Sequence, residues 1–393
     1  MKILLVHNSY QQAGGEDVVF EQELQLLERH GHQVVTYLRS NHELEQLSAI
    51  KQIGLVSRII SAEDSKQDIQ RILRDEKPDL VHAHNTFMMI SPSIFEVCKQ
   101  EGVPVLQTLH NYRLLCPAAT FFRDGHVCEE CTEHGLMRAV THGCYRESRA
   151  ATAAVALMLQ VHRGRGTWDD TVDGFIALTQ FARDKFIERG LPAEKIYVKP
   201  NFVYPDPGER SIPGNYALFA GRLSPEKGVS TLLAAWDRLR SPIPLVIVGD
   251  GPLRTDLEGE AARRNLQQVT FRGHLKSNET RAVMKQAGFL IVPSLWYEAF
   301  SLNIAEAFAC GVPVISSRLG AMRENVSDRR TGLHFNAGDA EDLAAKVDWA
   351  RTHSLELAAM GRKARHEYER RFSPEVNYSQ LMEIYEQTVG AYA

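Results

Sequence analysis

The sequence lacks any run of about eighteen consecutive apolar residues, so we expect no helix that crosses a membrane. We also expect no signal peptide, because the apolar run within Met1 to His7 is too short and reads as a strand. The net charge is only −4 in 393 residues, which predicts no nucleic-acid partner. With 44% hydrophobic and 24% charged residues, the composition is that of a soluble globular protein, and without a signal peptide we expect it to be cytoplasmic.

Cysteine is scarce, with six residues, and in the absence of a signal this excludes a secreted disulfide scaffold. Cys98 and Cys310 lie in apolar helical segments, where we expect inert packing. The other four lie in one segment rich in charge, His and Gly, for which we predict a loop: Cys116, Cys128, Cys131 and Cys144.

The spacing of these four cysteines is the reason to consider a metal. Cys128 and Cys131 form a C-x-x-C pair, which lets two thiolates reach one ion; eleven residues separate it from Cys116 and twelve from Cys144. Four thiolates favour a structural zinc site, with an iron–sulfur cluster as the second choice. A redox dithiol formed by Cys128 and Cys131 would leave the other two cysteines unexplained. The remaining alternative is that the four cysteines are unrelated free thiols.

No G-x-G-x-x-G follows the first strand, so a bound dinucleotide is not implied. Instead, Gly14 and Gly15 lie in a loop between a strand at Lys2 to Val6 and a helix from about Asp17 to His30. Glycines at the amino end of a helix let phosphates approach the backbone, which makes Gly15 a candidate phosphate contact. A plain turn is the alternative interpretation.

Strand and helix patterns alternate along the chain and restart after a segment rich in Pro and Gly at residues 200–214. This pattern predicts an α/β fold of two Rossmann-like parallel-sheet domains that face a central ligand cleft. We place the domains at residues 1–200 and 201–373. In the first domain, His84 and His110 each follow a predicted strand, where either a structural or a functional role is open.

The second domain begins with a strand that runs into Gly221-Arg222-Leu-Ser-Pro-Glu-Lys227-Gly228. Here Arg222 offers a bidentate fork and Lys227 a point charge, both beside the amino end of a helix. A diphosphate requires this combination. A solvated basic turn is the alternative.

The segment from Phe289 to Ser316 predicts strand, loop, helix and strand, with Glu298 in the loop and Glu306 on the helix. A glycosidase pair is disfavoured, because eight helical residues place two carboxylates roughly 12 Å apart along the axis, beyond the reach of hydrolytic pairs. Each carboxylate suits hydroxyls of one ligand instead, such as a ribose diol. Two solvated glutamates are the alternative, which the apolar neighbours of Glu306 weaken.

Two glutamates with seven residues between them, and Ala-Phe-Ser-Leu-Asn after the first, resemble the signature of the family 4 glycosyltransferases of the GT-B fold. The resemblance covers nearly the whole chain and is most specific between Gly221 and Gly311. It implies that Glu306 binds the nucleotide ribose and that Glu298 contacts the donor sugar. Ala299 and Ser301 stand where relatives often carry Pro or Gly.

The same resemblance implies further site residues. His110 lies beside the donor sugar and stabilises charge in the transition state, and His84 and Asn201 lie on the acceptor side. The last helix, about residues 374–393, packs back on the first domain. The remaining donor contacts are expected at Gly15, Arg222, Lys227, Gly251, Arg272, Phe300, Ser301, Leu302 and Asn303.

The resemblance implies a retaining transfer of a sugar from a nucleotide-diphosphate sugar to a glycan or polyprenyl-linked acceptor. The chemistry needs no metal if Arg222 and Lys227 neutralise the leaving diphosphate. An epimerase or hydrolase on the same fold, or a non-catalytic nucleotide-sugar-binding subunit, are the alternatives. The apolar helix predicted at Ala150 to His162, with arginines at its ends, indicates either core packing or peripheral contact with the inner membrane face.

The cysteine spacing makes a prediction that elemental analysis can check. Anaerobically purified protein should contain near one zinc per chain, because four thiolates close a tetrahedral site. Replacing Cys128 and Cys131 by serine should remove the metal, whereas the same change at Cys98 and Cys310 should not. Metal-free protein with full activity would contradict the prediction.

Overall fold

The computed structural model describes residues 1–11, 14–46 and 54–392, and the chain divides into two compact units. The first unit comprises Met1–Thr120, Glu129–Pro200 and Asn377–Ala393, and the second comprises Phe121–Cys128 and Asn201–Val376. The sequence analysis assigned Phe121–Cys128 to the first domain, whereas the structure groups it with the second. Each unit is an α/β layer structure.

The elements alternate in the order that the sequence patterns predict. The strands are β1 (Lys2–Ser9), β2 (Gln33–Ser40), β3 (Leu80–Asn85), β4 (Val105–Leu109), β5 (Phe122–Arg123), β6 (His126–Val127), β7 (Gly174–Ala177), β8 (Ile196–Val198), β9 (Ala217–Ala220), β10 (Leu245–Val248), β11 (Val269–Gly273), β12 (Phe289–Val292), β13 (Val314–Ser317) and β14 (Gly332–Phe335).

The α-helices within the described ranges cover the sheets. They are α1 (Gly15–Arg29), α2 (Leu55–Ile60), α3 (Glu63–Glu76), α4 (Ile94–Gln100), α5 (Glu130–His134), α6 (Met137–His142), α7 (Arg149–Gly164), α8 (Thr167–Asp170), α9 (Gln180–Ile187), α10 (Val229–Trp236), α11 (Arg254–Arg263), α12 (Ser277–Lys285), α13 (Leu302–Ala309), α14 (Gly320–Asn325), α15 (Ala340–Thr352), α16 (Ser354–Arg371) and α17 (Pro374–Tyr392). None of them is both long and apolar enough to span a bilayer.

The sheet of the first unit has the strand order β2-β1-β3-β4-β7-β8, and all its paired strands are parallel. Helices cover both faces of such a sheet, so its inner strands are continuous apolar runs rather than alternating ones. Ile3, Leu4, Leu5 and Val6 of β1 accordingly have no exposed surface. At the sheet edge, β2 is half exposed.

The sheet of the second unit has the order β11-β10-β9-β12-β13-β14, again all parallel. Its strand order reverses direction between β9 and β12, and the carboxyl ends of these strands meet at one edge. Ligands bind at such a switch point in open α/β sheets. The predicted strand, loop, helix and strand from Phe289 to Ser316 are confirmed as β12, α13 and β13.

The last helix, α17, contributes its residues from Asn377 onward to the first unit. Tyr385 is fully buried there, and its hydroxyl lies 2.8 Å from Nδ1 of His82 on β3. Near the start of the helix, the ring of Tyr378 stacks on that of His30 with centroids 3.6 Å apart. The helix therefore supplies both apolar and polar contacts to the sheet.

The cysteine-bearing segment is more regular than the loop that we predicted. It forms the antiparallel hairpin of β5 and β6 and the short helices α5 and α6. The left-handed backbone of Gly143 (φ 65°) ends α6, and Ala139 is buried on that helix. The loop prediction was wrong because these helices are short and mostly exposed, so they show little apolar periodicity.

A close approach of two strands predicts the effect of one substitution. A Cβ on Gly332 would lie 1.9 Å from the carbonyl oxygen of its partner Val314, so backbone must shift. Gly332→Ala should lower the free energy of unfolding by roughly 1–3 kcal/mol or more. The control Gly259→Ala, in the interior of α11 beside only the flexible end of Arg263, should be neutral or raise it. Equal denaturant midpoints for the two variants would contradict this.

Candidate active site

The carboxyl edge of the second sheet is built from close backbone turns. A Cβ on Gly249 would lie 1.8 Å from the carbonyl oxygen of Gly221, and one on Gly251 would lie 2.5 Å from that of Leu223. The side-chain amide of Asn303 donates to the carbonyl of Ala220 at 2.7 Å. These contacts tie the ends of β9 and β10 to the start of α13 and leave main chain at the surface of the edge.

Glu298 is buried at this edge and holds Lys227. The Nζ atom of Lys227 lies 2.8 Å from Oε1 of Glu298, which also accepts from the hydroxyl of Ser294 at 2.5 Å. Burial alone raises the pKa of the carboxyl, but the Lys227 ammonium and the hydrogen bonds outweigh burial and hold the pKa below its usual range. Glu298 is therefore ionised at neutral pH.

The Lys227–Glu298 pair joins the two motifs that the sequence analysis treated separately. Lys227 ends a 3-10 turn at Pro225–Lys227, and its Nζ atom lies 5.1 Å from the ring centroid of Trp296. The peptide N–H of Leu295 donates to the carbonyl of Glu226 at 2.8 Å. The turn at Gly221–Gly228 and the loop that carries Glu298 are thus one hydrogen-bonded structure.

Glu306 lies on α13 with only 7% of its surface exposed. Burial raises the pKa of its carboxyl to about 7, although the guanidinium of Arg281, with Nε 3.3 Å from Oε1, acts in the opposite direction. A ligand that donates two hydroxyl hydrogen bonds would favour the ionised carboxylate. A buried carboxylate of this kind has the acceptor chemistry that the two hydroxyls of a diol need.

The other predicted donor residues lie around the same edge with different exposure. Arg222 and Arg272 are exposed, and Gly251 and Phe300 are half-buried. Ser301 is buried at the amino end of α13, and Leu302 and Asn303 form the first turn of that helix. Asn201, predicted on the acceptor side, is buried and belongs to the second unit.

In the first unit, the structure brings His84 and His110 together at the ends of β3 and β4. Nδ1 of His84 lies 3.0 Å from Nε2 of His110, and Nε2 of His84 lies 3.1 Å from Oε1 of Glu23. Burial lowers the pKa of both imidazoles, that of His84 to about 4. Both rings also line a pocket whose walls include Asn85, Thr86, Phe87, Asn111, Arg113 and Trp168.

Gly15 starts α1, and it is exposed. Next to it, Glu16 lies 3.4 Å from the side-chain amides of both Asn85 and Asn111, and burial raises the pKa of its carboxyl to about 7. The side chain of Asp17 accepts from the peptide N–H of Gly14 at 2.6 Å and also contacts His7. Residues 12 and 13 of this predicted loop lie outside the described residues.

Sequence reasoning missed Glu16, Glu23, Lys199 and Arg281. Glu23 and Lys199 are separated by 176 positions yet form a buried ion pair at 3.1 Å. The sequence did contain a signal for Glu23, because this glutamate interrupts the apolar face of a helix and so could have been predicted to be a buried charge. No local pattern marks Arg281, which lies on a polar helix.

Two groups of side chains bear on metal binding. Ligand atoms of Glu23, His82 and His84 lie within 4.8 Å of one another, but Lys199 neutralises this carboxylate and hydrogen bonds account for the ring nitrogens. In the first unit, the ligand atoms of Cys116, Cys131 and Cys144 do not form such a group in the described chain, and Cys128 belongs to the second unit. The zinc site stays a prediction.

Comparisons with known proteins agree with this geometry. The profile of the family "Glycosyl transferases group 1" matches residues 208–367, and that of "Glycosyltransferase Family 4" matches residues 13–206. The glycogen synthase of Mycobacterium tuberculosis is 30% identical over 302 residues, and the phosphatidyl-myo-inositol mannosyltransferase of Mycobacterium leprae is 31% identical over 244. These alignments cover 74% and 59% of this chain and 64% of each relative.

Solved structures show the same fold at lower identity. The sucrose-phosphate synthase of Thermosynechococcus elongatus has a TM-score of 0.74 and 20% identity, with 99% of each chain covered. Anabaena Alr3699/HepE in complex with UDP has a TM-score of 0.68 and 19% identity, with 98% of this chain and 100% of that chain covered. The two sheets of this chain therefore have the arrangement of strands and helices found in these structures.

The pKa of Glu306 predicts a pH-dependent stability. Its folded pKa of about 7 exceeds the ordinary 4.5, so the folded state keeps a proton that the unfolded chain loses as pH rises between these values. Above pH 7 this costs about 3 kcal/mol. Glu306→Gln should therefore be more stable than the wild type at pH 8 and similar to it near pH 4.5, as measured by chemical unfolding.

The control for this experiment is Glu356→Gln, at an exposed position in the first turn of α16. It should leave the pH dependence of unfolding unchanged. A Glu306→Gln variant less stable than the wild type at pH 8 would show that the Arg281 ion pair outweighs the cost of burial.

Proposed function

Because the chain belongs to the family 4 glycosyltransferases of the GT-B fold, we propose that it is an enzyme that moves a sugar from a nucleotide-diphosphate sugar to an acceptor with retention of anomeric configuration. We further propose that the acceptor is a glycan or a lipid-linked glycan. The chain matches less than two thirds of the length of the curated relatives named above, so their activities serve only as support.

The observation that carries this proposal is the Lys227–Glu298 pair, with the buried Glu306 on the helix that follows the Glu298 loop. A nucleotide-sugar needs a cation for the diphosphate, a carboxylate for sugar hydroxyls and a second carboxylate for the ribose. The edge supplies all three within the second unit. The UDP and UDP-glucose complexes named for the Anabaena structure support a nucleotide-sugar donor.

In the proposed reaction, the diphosphate is the leaving group, and Arg222 and Lys227 stabilise the charge that develops on it. Glu298 keeps Lys227 oriented and accepts from a sugar hydroxyl, and Glu306 accepts from the ribose. His110 stabilises the reacting sugar from the first unit. In this proposal Arg222 and Lys227 take the part that a metal would have in neutralising the diphosphate, and the proposed zinc is structural.

The surface around α7 supports peripheral membrane contact as part of the proposal. The inward face of α7 is core, with Val155, Met158 and Leu159 buried. Leu157 on its outer face is 48% exposed, and Met137 on α6, a helix that packs against α7, is 67% exposed. Arginines at the ends of the helix could hold anionic lipid, which would bring a lipid-linked acceptor to a cytoplasmic enzyme.

A donor panel tests the proposed function. Uridine, guanosine and adenosine diphosphate sugars are incubated with and without polyprenyl-linked and free glycan acceptors, and the anomeric configuration of the product is read by proton NMR. We expect acceptor-dependent transfer with the configuration of the donor retained. A product of inverted configuration contradicts the retaining mechanism. Hydrolysis of the donor without transfer would identify a hydrolase, and an epimerised donor would identify an epimerase. Donor binding without turnover would identify a non-catalytic subunit.

Arg222→Ala provides the site-directed arm of this test. Loss of a charge-assisted hydrogen bond to phosphate should weaken UDP binding by roughly 1.5–3 kcal/mol, which is about 10- to 150-fold in Kd. Isothermal titration calorimetry with UDP measures it. The exposed Arg240, which follows α10, gives the matched control Arg240→Ala, which should bind as the wild type does. Equal affinities for both variants would remove Arg222 from the donor site.

A further inference from the structure

Behind His110 lies a buried polar cluster that the proposed reaction does not use. Its central carboxylate, Glu23, is 1% exposed and contacts three side chains: Nδ1 of His82 at 3.0 Å, Nε2 of His84 at 3.1 Å and Nζ of Lys199 at 3.1 Å. Lys199 also donates to the side-chain carbonyl of Asn377 on α17 at 3.0 Å. Helix α1, strand β3, the residue after β8 and α17 thus converge on the Glu23–Lys199 pair.

The charges of this cluster balance only if the histidines are neutral. Glu23 is anionic, since the Lys199 ammonium and hydrogen bonding from the histidine rings outweigh the effect of burial and lower its pKa. Lys199 supplies one compensating positive charge. A proton on either imidazole would leave a net charge buried, which is costly. The His7–Asp17 pair, with 2.9 Å between Nε2 and Oδ1, lies on the other side of His84 and carries its own carboxylate.

Neutral histidines allow only one direction of hydrogen bonding toward His110. Nε2 of His84 faces the Glu23 carboxylate, which only accepts, so this nitrogen carries the proton. Nδ1 of His84 is then bare and accepts from Nε2–H of His110, 3.0 Å away. The remaining nitrogen of His110, Nδ1, is consequently a bare acceptor, and within the described chain no hydrogen bond uses it.

We propose that Glu23 and His84 are positioning residues that fix His110 as the Nε2–H tautomer, so that its Nδ1 accepts a hydrogen bond from a hydroxyl of the sugar donor or acceptor. The inference rests on the proposed function, because it takes His110 as the histidine beside the reacting sugar. It assigns His110 a neutral, accepting role in place of a cationic one.

The other partners of the buried cluster fix the orientation of His82, which lies next to His84. Thr108 contacts Nε2 of His82 at 2.8 Å, and the hydroxyl of Tyr385 contacts Nδ1 at 2.8 Å, so His82 is fixed on both sides. Nδ1 of His82 and Nε2 of His84 both contact Oε1 of Glu23. The His82 contact therefore restricts the direction from which His84 can donate to this oxygen. Second partners of this kind set the tautomer of a functional histidine.

Nitrogen-15 NMR of histidine-labelled full-length protein tests the tautomer directly and without substrate. Two-bond nitrogen–proton correlations distinguish protonated from bare ring nitrogens, and the spectrum of His110→Gln identifies the signal of His110 among the 15 histidines. At pH 7 we expect a bare Nδ1 and a protonated Nε2 for both His84 and His110. A protonated Nδ1 on His110, or an imidazolium, would overturn the proposal.

Two substitutions at His84 separate positioning from general packing. His84→Leu removes the acceptor, so His110 should populate the Nδ1–H tautomer and kcat should fall roughly tenfold or more, while the donor KM stays within about twofold. His84→Asn places a carbonyl oxygen close to the former Nδ1, so it should restore the wild-type tautomer and most of the lost kcat. If His84→Leu does not fold, His84→Asn with an altered tautomer or His110→Gln with full turnover would still overturn the proposal.

His32→Leu is the matched control. Like His82 of the cluster, His32 bonds to a tyrosine of α17, with Nε2 2.8 Å from the Tyr378 hydroxyl, but it makes no hydrogen bond to His84 or His110 in the described chain. It should leave the tautomer and kcat unchanged. If no nucleotide-sugar is turned over while the NMR result is as expected, the proposed function fails and the hydrogen-bond network stands. If turnover is normal and the tautomer is wrong, only the positioning role fails.

Discussion

The ion pair between Glu23 and Lys199 is the interaction on which the first unit depends. Its two side chains are 1% and 2% exposed, and a buried pair is stable only when further hydrogen bonds satisfy both charges. Here the imidazoles of His82 and His84 and the amide of Asn377 supply those bonds. The ends of the parallel strands, the first helix and the last helix are therefore held in one register by electrostatics as well as by apolar packing.

The second unit solves a related problem with less burial. Its Lys227–Glu298 pair is reached from solvent, since the side chain of Lys227 is 22% exposed. The Lys227 ammonium can bind a phosphate while it keeps part of its contact with Glu298, because it is not enclosed in the core. One unit thus holds a fixed charge pair that orients neutral histidines, and the other holds an adjustable pair suited to an anion.

The part of the structure that the sequence predicted is the part encoded locally. Strand, turn and helix follow one another within Phe289–Ser316 and around the turn at Gly221–Gly228. The apolar periodicity and the placement of glycines were therefore enough to predict these elements. The resemblance also singled out Glu306, but the raised pKa of its carboxyl follows from its depth of burial, which the sequence alone did not show. Glu23, Lys199 and Asn377 could not be paired from the sequence, because their contact arises only when distant strands and helices have packed. The cysteine-bearing helices were missed because their faces are mostly polar.

The way α17 completes the first unit affects the order of events during synthesis. The ribosome makes the strands of the first sheet, then residues 201–376 of the second unit, and only afterwards Asn377 and Tyr385. Until then Lys199 lacks its amide partner and His82 lacks its tyrosine. The amino-terminal unit, although translated first, is therefore the last to complete its core. Until α17 is made, the surface that this helix covers stays exposed to solvent or to other proteins.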